Sequence, residues 1–160
     1  MSATTSHRSS TDSRLTPATI AYLITALGVA AGGLLHLQIW NDTKKDLPDV
    51  IPSVWVVQEG FLFNFAVSIV VATAVVAVAF GALPLIRRYV IPAAIAVQIG
   101  SLAALIMSRR SEFLGYQDDV WDTDAKRTLW LEIAKLVVAL IALAIDVMRN
   151  RRTTTSDRRR

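Results

Sequence analysis

Hydrophobic positions along this chain fall in four long runs, separated by short polar connections. Each run is near or above the roughly 18–20 apolar residues that cross a bilayer core as a helix. The pattern predicts spans at Pro17–Trp40, Ser53–Phe80, Tyr89–Met107 and Thr128–Met148. Pro17 and Pro92 suit the first turns of spans 1 and 3, where a missing N–H costs nothing. Connections of this length make consecutive helices antiparallel neighbours. The expected fold is therefore an all-α membrane protein, an up-down-up-down bundle of four transmembrane helices over residues 17–148. Residues 1–16 are rich in Ser and Thr and poor in large apolar groups, so they are read as a disordered tail. Residues 149–160 form a basic tail. Span 1 continues through Leu35 to Trp40, which is too long for a cleaved signal segment and predicts a retained helix.

Within the spans, the polar positions are not scattered. At 100° per residue, Glu132, Lys135, Ala139, Ala142 and Asp146 of span 4 fall on one narrow stripe, and the other positions are mostly Leu, Ile and Val. Charged groups avoid lipid, so this stripe is expected to face other helices. Glu132 and Lys135 are one turn apart and can pair. Asp146 is expected to pair locally with Arg149. Span 1 carries a similar line: Ala21, Thr25, Gly28, Gly32 and His36. Gly28 and Gly32 form a GxxxG pair that permits close helix approach. Glu59 and Asn64 on span 2 and Gln98 on span 3, one turn from Ser101, complete the candidate cluster of His36, Glu59, Asn64, Gln98, Glu132 and Lys135. Antiparallel threading puts His36, Glu59, Glu132 and Lys135 at similar depth, with Gln98 deeper. Two readings of the cluster stand: a polar pocket for a lipid head group, quinone, proton or metal, or a structural network that fixes helix register.

Composition and charge narrow the picture. Hydrophobic residues make up 53% of the 160 residues, and mean hydropathy is +0.44. The chain has no cysteine, which excludes disulfides, thiolate metal sites, iron–sulfur clusters and dithiol redox chemistry. A four-helix quinone-linked disulfide enzyme goes with them. Net charge is +4. Arg8 and Arg14, Arg87 and Arg88, and six arginines after Met148 gather ten basic residues on one side, against six on the other. By the positive-inside rule both termini are cytoplasmic. Trp40, Trp55, Trp121 and Trp130 all fall at the opposite face, as an interfacial belt does. Arg149, Arg151 and Arg152 are expected to contact anionic lipid at the cytoplasmic face. No aromatic residues interleave them, which speaks against nucleic acid. A bis-histidine haem needs a second membrane histidine, and His7 is in the tail. No cofactor or metal is expected. A membrane-protein partner or a second copy of the chain is compatible with every feature.

"GLLHLQIW", then "VWVVQEGFLFNF", resembles the first half of uncharacterised small four-helix membrane proteins of high-GC Gram-positive bacteria. His36, Trp40 and Asn64 carry that likeness. "IGSLAALIMSRRSEFLGYQDDVW" and "LWLEIAKLVV" resemble their second half through Leu114, Gly115, Tyr116 and Glu132. Lys135 departs from the pattern, whose residue there is apolar. The resemblance implies topology and location, and no activity. A looser similarity to DoxX-type four-helix proteins implies a redox or quinone association. The expected role is a non-enzymatic accessory, binding or assembly factor of the plasma membrane; the alternative is a small transporter or a quinone- or redox-linked membrane subunit. A membrane enzyme with Glu59 or Glu132 as general base lacks a nucleophile motif such as G-x-S-x-G and a phosphate-binding glycine loop.

Overall fold

The fold is described from a computed structural model, which covers residues 15–46, 52–111, 120–121 and 123–157. The expectations for the tail before residue 15, for Leu114, Gly115 and Tyr116, and for the side chains of Trp55, Arg151 and Arg152 lie outside the described residues. Four helices make up the described chain: α1 (Pro17–Asp46), α2 (Pro52–Ala79), α3 (Arg87–Arg110) and α4 (Thr123–Asp157). No strand occurs among the described residues. Stretches at Pro17–Asp42, Gln58–Ala79 and Pro84–Arg110 are long and apolar enough to cross a membrane. The remaining helix, α4, holds Glu132, Lys135 and Asp146 within its apolar stretch.

Local chemistry explains the ends. Thr16 Oγ1 accepts the Thr19 backbone N–H at 3.1 Å, with Pro17 as the first helical residue. That satisfies one of the open donors of α1. At the end of α2, Gly81 takes φ +84°. Its N–H donates to Val78 O and that of Ala82 to Ala77 O, at 3.0 and 2.9 Å, which closes the helix as a Schellman motif. Pro84 then opens a single 3-10 turn, Pro84–Ile86, leading into α3. Three helices overrun the expected spans, whereas α2 matches its span to within one residue at each end. Because α3 starts at Arg87, Pro92 sits in its second turn rather than its first and cannot give Arg88 O the usual helical N–H. Helix α4 continues to Asp157, through much of the segment expected to be a basic tail. Hydropathy marks where a helix leaves an apolar medium, whereas a helix ends where Gly, Pro or a cap ends it, and "RNRRTTTSD" has neither Gly nor Pro.

Helix α1 packs on α2 and α4, and α3 packs on the same two. Tyr22, early in α1, lies within electrostatic reach of Asp146, late in α4, and of Arg87. His36, late in α1, meets Glu132, early in α4. Fourteen residues separate the members of each helix's pair, or about 21 Å at 1.5 Å per residue. Between these two polar ends lies an apolar core that includes Val29, Val75, Ile91, Ala94 and Ala142. The outward faces are apolar: Leu27 and Phe63 are both 71% exposed, and Ile24, Val70, Ile99 and Ile141 are exposed with them. Large hydrophobics outside and ionisable groups inside invert the usual soluble pattern, as lipid contact requires.

Candidate functional site

The stripe on α4 turns inward along its whole length: Glu132, Lys135, Ala139, Ala142 and Asp146 are all buried. Around the first two stands the polar cluster. Lys135 Nζ donates to Glu132 Oε1 at 2.6 Å, one turn away on the same helix. His36 Nε2 of α1 lies 3.8 Å from that same oxygen. It also shares a hydrogen bond with Ser101 Oγ of α3 at 2.8 Å. The remaining helix, α2, supplies Phe61, whose ring stacks on the imidazole with centroids 5.5 Å apart. All four helices thus converge on His36, which fixes the imidazole from three sides.

The glycines of α1 serve this cluster directly. A Cβ on Gly32 would overlap Lys135 Nζ, and one on Gly28 would come within 3.3 Å of Lys135 Cγ. The two glycines therefore form a groove that receives the lysine stem and its ammonium. A GxxxG pair is usually a place for backbones to approach; here it makes room for a side chain. The next residue, Gly33, faces α2 instead. Its Cβ would stand 2.7 Å from Ser68 Cβ.

Two atoms of the cluster are left over. Glu132 Oε2 and His36 Nδ1 are buried with no hydrogen-bond partner. Glu132 is only 1% exposed. Both contacts to the carboxylate fall on one oxygen while the other has none. With Lys135 protonated, Glu132 ionised and His36 neutral, the cluster has no net charge. That is the arrangement in which a closed site holds ionised groups at least cost.

Other expected members fall elsewhere. Gln98 is buried, and among the described residues no hydrogen bond or ion pair joins it to the cluster. Asn64 accepts a hydrogen bond from Ser68 Oγ at 3.1 Å and belongs to the face of α2 near Gly33. Glu59 is exposed, and its neighbour Gln58 is the buried residue, at 3%. A slip of one position turns a helical side chain by 100°, enough to move it from interior to surface. At the far end, Asp146 pairs with Arg87 NH2 of α3 at 3.5 Å. The local partner expected for it, Arg149, is exposed. Ser101 and Phe61 are the members that sequence reasoning did not assign to the site. Ser101 was signalled by its place one turn from Gln98, whereas Phe61 carried no signal among so many apolar neighbours. Among the described residues no three His, Cys, Asp or Glu side chains stand close enough to hold a metal ion. No protein-family model, curated protein or solved structure matches this chain.

Proposed function

We propose that this chain is a multi-pass plasma-membrane protein whose four helices all span the bilayer in up-down-up-down order, with both termini cytoplasmic. Its role is non-enzymatic: an accessory, binding or assembly factor that presents a polar intramembrane cluster toward the outside. The observation that carries this reading is the buried set of His36, Ser101, Glu132 and Lys135 at one end of helices whose outward faces are apolar. Helix α4 joins the other three as a span because its charges are turned away from lipid. Below the cluster, Val75, Ala94, Ala139 and Ala142 have no exposed surface. That apolar layer supports binding at one end over a transport path from face to face. Arg149, Arg151 and Arg152 would grip anionic lipid on the cytoplasmic side, and a second copy or another membrane protein would dock on the apolar flanks.

The lack of cysteine makes the topology directly testable. Single-cysteine variants Thr11→Cys, Ala82→Cys and Thr154→Cys should resist an impermeant maleimide in intact cells, and Thr43→Cys should react. Reaction of Thr154→Cys from outside overturns the threading. Native mass spectrometry of the full chain in gentle detergent should show a retained membrane component that Glu132→Gln releases. A bare wild-type chain overturns the binding role.

A further inference from the structure

One carboxylate oxygen, Glu132 Oε1, faces two nitrogen bases from different helices: Lys135 Nζ at 2.6 Å and His36 Nε2 at 3.8 Å. Glu132, when ionised, carries one negative charge and can balance one cation in a buried site. The two unpartnered atoms, Glu132 Oε2 and His36 Nδ1, are complementary. A carboxylate oxygen accepts only, so Oε2 lacks a donor. An imidazole that gives its Nε2–H to Ser101 lacks a proton at Nδ1, and gaining one makes it a donor.

We propose that the cluster is a proton-binding site in which His36, once protonated, competes with Lys135 for Glu132. The inference rests on the reading of the cluster as a functional site and names its ligand. The proton comes from hydronium, forms an N–H bond at Nδ1 and leaves water; no electron moves. The cluster then changes from neutral to a net charge of +1 inside the protein. Two cations share one counter-ion, and the ammonium is drawn off its seat between Gly28 and Gly32. Among the described residues the charged groups that face His36 are Glu132 and Lys135 of α4. From α3 comes the Ser101 hydroxyl and from α2 the Phe61 ring, neither of them charged. The nearest ionisable residue of α2, Glu59, is exposed.

The reversal of the pH response in a lysine variant separates this from a fixed structural network. The thermal midpoint of the full chain in detergent is measured at pH 8 and at pH 5, the range in which an unburied histidine titrates. Acidification should lower the wild-type midpoint by roughly 3 °C or more, because the unfolded chain takes up at His36 a proton that the buried site, with Lys135 beside it, resists. His36→Gln should remove that difference from the wild type. Lys135→Met should reverse it: with the ammonium gone, a protonated His36 supplies the charge that Glu132 lacks, so the variant is more stable at pH 5 than at pH 8. A wild-type midpoint that does not fall, a fall that persists in His36→Gln, or a Lys135→Met response of unchanged sign each overturns the proposal. Should Lys135→Met not fold, Lys135→Gln takes its place, with the same reversal expected. Failed labelling with the pH responses intact would sink the threading and leave this site standing. The reverse outcome would sink only the proton site.

Discussion

Replacing Gly32 with alanine puts the relation between α1 and Lys135 to a direct test. The new methyl would overlap Lys135 Nζ and lie 3.3 Å from its Cε and 3.5 Å from its Cδ. A lysine tip is flexible, and a clash with one is ordinarily relieved at little cost. Here the tip is engaged, because Nζ is hydrogen-bonded to Glu132 Oε1. Moving the ammonium away gives up a charge-assisted bond worth about 1.5–3 kcal/mol. Keeping it in place overpacks the seam, at about 1–3 kcal/mol. Either route destabilises by about 2 kcal/mol. The same substitution made in the Glu132→Ala, Lys135→Ala background meets no ammonium and leaves no orphan charge. There the loss of glycine from a helix interior should stabilise by about 0.5–1 kcal/mol. The expected coupling is therefore close to 3 kcal/mol, with a change of sign between the two backgrounds. Reversible unfolding in mixed micelles, titrated with SDS and followed by tryptophan fluorescence, reads both values. An equal cost in the two backgrounds would refute the reasoning. It would mean that Gly32 is needed for backbone approach alone and that the lysine is incidental to it.

Further outcomes follow from the same geometry. Glu132→Ala leaves the Lys135 ammonium buried without a counter-ion and should cost about 3–5 kcal/mol. Adding Lys135→Ala should recover part of that loss in the same titration, and no recovery would remove the ion-pair claim. Gly81→Ala forces a side chain into the left-handed region at φ +84°. It should lower stability by about 1–2 kcal/mol in that titration, and a neutral result would show that the α2–α3 turn can close in another way.

The inward face of α4 was legible because three ionisable residues in an apolar helix leave it one orientation that avoids lipid. Helix α2 offered no such constraint. Its first turns set Gln58 beside Glu59, and ionisability alone favoured the acid. The phase of α2 is fixed lower down, by small residues: Ser68 against Gly33, then Ala72, Val75 and Val78, all buried. Counted back from Ser68, position 59 lies nine residues away, two and a half turns, and so on the opposite face. The small residues of α1 and α2 carried this information, but it became usable only once two helices were laid together. Arg87 shows the other limit. It is distant in sequence from Asp146, and a four-residue neighbourhood on α4 contained Arg149 as a sufficient partner. The turn after α2 delivers Arg87 to the spot, and its Schellman closure involves Gly81 rather than any charge.

Stability alone gives no reason for the Glu132–Lys135 pair. In a closed site the cost of dehydrating two ions roughly cancels their attraction, and well-packed apolar residues of similar size would hold the helices as firmly or more so. Yet the surrounding helices are shaped to the charges. Gly28 and Gly32 leave a groove of the lysine's length, at the expense of helix propensity in α1. Ser101 and Phe61 orient an imidazole toward the same carboxylate oxygen, and a second oxygen is left bare where a simple network would have filled it. A register device would need one satisfied contact between helices. This arrangement instead sets two bases against one acid and leaves a donor and an acceptor position open. That excess of chemistry over architecture is the physical argument for a site whose protonation changes, rather than a staple whose state is fixed.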